Sequence, residues 1–125
     1  ETRYLAAGER TLQAYYPALR ASPGGYASIA VALAEQLAPP PVAVLRGPAA
    51  DLPAWQHKLA AHYRPGLLVL ALPTGLRGLP PVLDKPAGDA VNAWLCRGVE
   101  CMPPASAWTS LEAEIIKIGK PAWVD

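Results

Sequence analysis

The chain has little from which to build a reaction. It holds only two cysteines, Cys96 and Cys101, and two histidines, His57 and His62, among 125 residues. A structural zinc site needs four ligands. Two histidines five positions apart on one helix would point about 140° apart around its axis and could not meet on one ion. No Lys/Arg cluster occurs and the net charge is +1, too balanced for the electrostatic footprint of a nucleic-acid binder. No apolar run approaches the roughly 18–20 residues that span a bilayer. Also missing are a nucleophile-elbow pattern, a signal-type leader and any internal repeat. Glu112 and Glu114 fall on a helix face expected to be exposed, so they do not read as a glycosidase carboxylate pair.

What is present suffices for one hydrophobic core. Hydrophobic residues make up 52% of the chain, with 15 prolines and 10 glycines as punctuation between the apolar blocks. That pattern argues against disorder.

Residues 2–20 place Leu5, Leu12, Tyr15, Tyr16 and Leu19 near a three-to-four-residue spacing, the period of an amphipathic helix. Ser22-Pro-Gly-Gly25 stops it. A second helix, with Tyr26, Ile29, Ala30, Leu33 and Leu37 on one face, runs to Pro39-Pro-Pro41. Two helices so closely joined form a hairpin, whose apolar stripe the pair cannot bury alone.

After the prolines the period changes. Val42–Leu45 reads as a short strand followed by Arg46-Gly47-Pro48. Asp51 is the expected N-cap of a helix with Leu52, Trp55, Leu59 and Tyr63 on one face and Pro53 in its first turn. Pro65-Gly66 breaks that helix, and Leu67–Leu72 is an uninterrupted apolar strand. Strand, helix and strand make a βαβ unit, and the continuous apolar strand predicts a parallel sheet covered on both faces. Residues 73–89 lack periodicity and read as a long loop. A third strand spans Ala90–Leu95. The last helix is expected to start in a capping box at Thr109-Ser-Leu-Glu112, or earlier at Ser106. It buries Leu111, Ile115 and Ile118 and ends at Gly119 and Pro121. The predicted class is α/β: an N-terminal helical hairpin packed on a small three-stranded, mainly parallel sheet flanked by helices. The whole is one domain, with the hairpin at 1–38 and the α/β part at 41–125.

Chemistry, if any, belongs to Cys96-Arg-Gly-Val-Glu-Cys101. Along a continuing strand, positions five apart lie about 16 Å from each other, whereas a disulfide needs Cα atoms within about 7 Å. Bonding therefore requires the chain to reverse, and Gly98 could supply the turn. Two unbonded thiols, a structural or reversible disulfide, and a metal all stay open at this point. A redox catalyst usually carries Cys-x-x-Cys at a helix N-terminus. Here four residues separate the cysteines, and Pro103-Pro104 hold Cys101 away from the helix. Arg97 would favour a thiolate and Glu100 would oppose it.

A second candidate is a ligand crevice at Arg46, Gly47 and Thr74, at the carboxyl ends of the strands where open α/β sheets bind ligands. It has too few glycines for a phosphate cradle, and Asp51 would repel an anion. Gly75-Leu-Arg-Gly78 reads as a solvated loop.

The stretch Ala93-Trp-Leu-Cys96-Arg-Gly-Val-Glu-Cys101-Met-Pro-Pro104 resembles the C-terminal end of the thioredoxin-domain-containing, spermatogenesis-associated-protein-like family. Members typically end in a strand reaching a Cys, a short segment, a second Cys, one or two prolines and a final helix. The order of elements upstream is similar too. The resemblance implies a longer parent with an N-terminal thioredoxin-like domain and an (α/α) toroid like that of sugar epimerases and six-hairpin glycosidases. Residues 1–38 would be the toroid's closing hairpin or its lead-out, and 41–125 an appended α/β domain. It carries over Cys96 and Cys101 as the family's C-terminal cysteine pair and no catalytic residue. Val99 and Glu100 depart from the aromatic or small polar residues that relatives more often have there.

The expected function is a non-catalytic C-terminal α/β domain that packs against upstream domains of the same polypeptide, with homodimerisation expected of the isolated chain. One alternative is a thiol–disulfide partner of the thioredoxin-like domain through Cys96 and Cys101. Another is a small-ligand-binding module. No cofactor, metal, nucleic-acid or membrane partner is expected. A helical pattern already running at Glu1 reads as a piece of a longer chain with any targeting region upstream, and the expected compartment is the cytoplasm.

Overall fold

A computed structural model of the chain describes residues 2–98 and 100–118. It divides into two compact units, Glu1–Pro39 and Pro40–Asp125, and each is described by itself.

The first unit is a helical hairpin. Helix α1 spans Thr2–Ala21 and contains Pro17, whose missing N–H leaves the Gln13 carbonyl without its intrahelical donor. Ser22 N donates to Ala18 O at 3.0 Å and Gly25 N to Ser22 O at 3.1 Å, so the Pro-Gly link closes as one 3-10 turn over Pro23–Tyr26. Helix α2 follows at Ala27–Leu37. The Tyr15 and Tyr26 rings lie 6.2 Å apart at the hinge. Leu19 is the only buried residue of α1, and α2 buries none.

The second unit is a four-stranded sheet in the order β2-β1-β3-β4. Strand β1 (Val42–Gly47) pairs in parallel with β2 (Leu68–Pro73), from Val42 opposite Leu68 to Gly47 opposite Pro73. Helix α3 (Leu52–Ala60) connects them. Strand β3 (Asn92–Arg97) joins the other side of β1, antiparallel, with Val44 opposite Trp94. The short β4 (Glu100–Cys101) pairs antiparallel with β3. The sheet is therefore mixed and four-stranded, not three-stranded and mainly parallel. The connection explains this. A parallel partner needs a crossover, usually helical, and no helix lies between β2 and β3. The chain leaves β2 at Pro73 and re-enters beside Arg46, at the same end of the sheet, so β3 must run back.

Alternation along β1 and β3 sorts the core onto two faces. On one, Ala43, Leu45, Val91, Ala93 and Leu95 pack with Leu52 and Leu59 of α3 and with Leu111 and Ile115 of helix α4 (Trp108–Ile118). Trp55 and Trp108 meet edge to face at 6.1 Å between these helices. On the other face, Val44, Trp94 and Cys96 form a second cluster with Val42, Leu72, Leu83 and Cys101. Leu83 comes from the long loop, so within this unit both helices cover one face and a loop segment packs on the other.

Local signals are adjusted in three places. Asp51 stands at the N-cap position of α3, but its side chain makes no capping hydrogen bond. A backbone turn replaces it, with Asp51 N donating to Pro48 O at 3.0 Å and Leu52 N to the same oxygen at 3.3 Å. Helix α3 ends at Ala60, so Tyr63 lies beyond it, 92% exposed, and not on its buried face. Helix α4 begins at Trp108, with Leu111 N donating to Ala107 O at 3.3 Å. Ala107 is thus the cap, and Thr109 lies inside the helix. The expected stop at Gly119 and Pro121 lies outside the described residues. No described helix is long and apolar enough to cross a membrane.

Candidate thiol–disulfide site

The hairpin of β3 and β4 turns through the two positions between Arg97 and Glu100, which are paired across the ladder. Gly98 takes φ +58° there, a left-handed value that glycine adopts without steric cost. Met102 N donates to Leu95 O at 3.0 Å, so that pair is hydrogen-bonded and the neighbouring Cys96–Cys101 pair is not. Non-hydrogen-bonded pairs bring opposite residues closest together. The Cα atoms are 3.9 Å apart and the sulfurs are joined at 2.04 Å. Of the states left open by the sequence, the disulfide is the one observed.

Beyond Met102 the partner strand carries one extra residue before Ala105 re-pairs with Ala93, through hydrogen bonds of 2.9 and 2.8 Å. Pro103-Pro104 occupy this bulge. Neither proline has an N–H to offer a ladder, so they sit where the pairing is interrupted.

The two sulfurs share a face of the sheet and differ in surroundings. Cys96 is 5% exposed among Val44 and Trp94, while Cys101 is half-buried at the edge of that cluster. The Lys85 ammonium donates to Cys101 Sγ at 3.2 Å. Lys85 belongs to the long loop, and its position is set by Arg46. That side chain is 4% exposed. Its Nε donates to Lys85 O at 3.2 Å, and its Nη1 donates to Pro73 O at 3.0 Å. One buried guanidinium thus holds the loop at its start and again at Lys85. Asp84 approaches Arg46 Nη2 at 4.0 Å, with its own side chain 66% exposed, and adds little.

Arg46, Gly47 and Thr74 lie at one end of the sheet. Their polar groups serve the fold: the guanidinium is spent on loop carbonyls, and Thr74 N donates to Gly47 O at 2.9 Å. His57 and His62 are exposed. Among the described residues no group of three or more His, Cys, Asp or Glu could hold a metal ion. Glu114 pairs with Lys117 at 2.7 Å one helical turn away. Lys85 was missed by sequence reasoning because an aperiodic loop gives no clue to what its lysine will face.

A separate open groove of about 480 Å³ lies between the end of α4 and the segment leading into β2. Its walls include Leu67, Leu95, Ile115 and Ile116, together with Arg64. Arg64 Nη1 is buried without a hydrogen-bond partner. Compared with protein families, curated proteins and solved structures, the chain matches none.

Proposed function

We propose that this chain is a non-catalytic α/β domain of a larger thioredoxin-domain-containing protein of the spermatogenesis-associated-protein-like family, and that it packs against upstream domains of the same polypeptide. The observation that carries this reading is the uncovered apolar surface of the helical hairpin. Tyr4, Leu5, Val31 and Leu37 are 63%, 73%, 58% and 77% exposed. Four large apolar side chains left exposed on two helices are the kind of surface an interaction would cover. The apolar groove beside Ile116 offers a second surface of the same character. Arg46, the buried charged group at the strand ends, is meanwhile spent on loop carbonyls.

The test is the association state of the isolated chain, by light scattering across a concentration series. Dimerisation or binding of an apolar-surface dye is expected, and both should be lost in V31E/L37E. A wild-type chain that stays monomeric and binds no dye at high concentration would falsify this reading.

One observation favours a second reading, in which the cysteine pair exchanges thiols with the thioredoxin-like domain. The Lys85 ammonium lies on the more accessible sulfur, where it would stabilise a thiolate. The ligand-crevice reading has less support, since Arg46 is already committed to the loop.

A further inference from the structure

We propose that the Cys96–Cys101 pair is an asymmetric exchange site. Cys101 is the sulfur that bears the mixed disulfide with a protein or small-molecule dithiol, Cys96 is the buried resolving thiol, and Lys85 positions and stabilises the Cys101 thiolate. The assignment rests on the second reading above and goes beyond it by giving each residue a role.

Three observations support the division of roles. The first is access. An incoming thiolate can reach only a sulfur that is not enclosed, and Cys96 is 5% exposed while Cys101 is half-buried. The second is charge. The Lys85 ammonium is 3.2 Å from Cys101 Sγ, and a cation at that distance favours the thiolate over the thiol. Cys96 is buried in an apolar cluster with Val44, Trp94, Val42, Leu72 and Leu83, an environment that disfavours a charge on its sulfur. The third is fixation. The Lys85 carbonyl is held by buried Arg46, so the ammonium is presented from an anchored backbone. Reduction separates the sulfurs without removing the anchor.

The exchange balances as follows. One thiol of the dithiol gives its proton to solvent, and its sulfur attacks Cys101 Sγ. The Cys96–Cys101 bond breaks, its electron pair remains on Cys96 Sγ, and that sulfur takes a proton. The second thiol of the dithiol then loses its proton and attacks its own partner sulfur in the mixed disulfide. That bond breaks with its electron pair on Cys101 Sγ, beside Lys85. The dithiol is oxidised to a disulfide by two electrons, and the cysteine pair is reduced by the same two. In reverse, the Cys101 thiolate attacks a partner disulfide and Cys96 resolves the adduct. Favouring the reduced form at one sulfur also makes the bond easier to reduce.

The test uses the full 125-residue chain, with dithiothreitol as the dithiol and glutathione disulfide as the trapping reagent. C96S, which keeps Cys101, should form the glutathione adduct at neutral pH at least roughly ten times faster than C101S, which keeps Cys96. Adding K85M to C96S should slow alkylation of Cys101 by iodoacetamide several-fold near neutral pH and move its pH profile upward. K85M alone should shift the dithiothreitol equilibrium toward the oxidised pair by a similar factor. If the serine variants fold poorly, wild-type protein can be partly reduced with dithiothreitol, trapped with glutathione disulfide, and mapped by mass spectrometry for the cysteine carrying the adduct. Adduct on Cys96 would overturn the roles while leaving exchange intact. An unchanged profile in K85M would remove Lys85 from the assignment. A folded protein whose disulfide resists excess dithiothreitol would end the exchange reading itself.

Discussion

A Cβ on Gly47 would lie 2.8 Å from both Cα and Cγ2 of Val91. The end of β1 and the entry to β3 are therefore pressed together at a point where only a hydrogen fits. Gly47→Ala must push β3 away from its ladder or distort Val91, and a loss of about 1–3 kcal/mol is expected. Urea unfolding followed by circular dichroism measures it. Gly98→Ala works by another route: no atom lies within 4 Å of the added carbon, but φ is +58°. A cost of about 1 kcal/mol is expected there, with the hairpin amides losing hydrogen-exchange protection before the rest of the sheet.

Arg46 is the link between the loop and the sheet. Arg46→Met keeps much of the side chain's bulk, leaves the Lys85 carbonyl without its Arg46 donor and leaves the Pro73 carbonyl with Leu76 N alone. A destabilisation of about 1–3 kcal/mol follows from the loss of two charge-assisted hydrogen bonds, one of which leaves its acceptor unpaired. The loss should be local as well as global, with the Thr74 and Leu83 amides exchanging faster than those of α3. Asp84→Asn removes only a 4.0 Å contact to a largely exposed carboxylate and should change stability by less than about 0.5 kcal/mol. Equal effects of the two substitutions would contradict this account of the loop.

The disulfide closes a very short loop, with a sequence separation of 5. The chain-entropy estimate for a loop of that size is about 2 kcal/mol. C96A/C101A should lower stability by roughly that amount while leaving the far-ultraviolet spectrum unchanged, because β1, β2 and both helices are joined independently of it. Complete unfolding of the double variant would mean that the hairpin nucleates the sheet.

Leu45 and Leu68 lie in β1 and β2 of the same sheet and should behave oppositely. Leu45 is fully buried under the helices, and Leu68 is 52% exposed on the edge strand. Leu45→Ala should cost about 2–5 kcal/mol through the cavity it leaves, and Leu68→Ala less than about 0.5 kcal/mol. Thermal melts of the two variants provide the comparison.

Much of this was legible in the residues. The period change after Pro41 located β1, and the apolar run Leu67–Leu72 located β2 within one residue at each end. Their parallel pairing followed from the helix between them. The direction of β3 was also written in the chain, because residues 73–89 contain no helical period and so offer no crossover. The uninterrupted apolar run of β2, typical of parallel strands, masked it. Tyr63 failed for a local reason: it keeps the helical spacing but lies near Pro65, where the residue before a proline is biased out of the helical region. The cysteine spacing stated its own condition, a reversal at Gly98, and that condition was met. Lys85 and Arg46 were not legible as a pair. Their meeting depends on where a long aperiodic segment lands, and such segments carry no repeating signal.

The same segment has a consequence for the integrity of the molecule. Gly75 and Gly78 lie at its exposed end, between β1–α3–β2 and everything that follows. Severing the backbone there by a protease would yield two pieces, one carrying Leu45, Leu52 and Leu59, the other Leu95, Leu111 and Ile115. These six side chains make one core, and β1 shares its ladder with β3 across the cut. The pieces should therefore stay associated after nicking, and two separately made halves should find each other, so this position suits splitting the domain into complementing fragments.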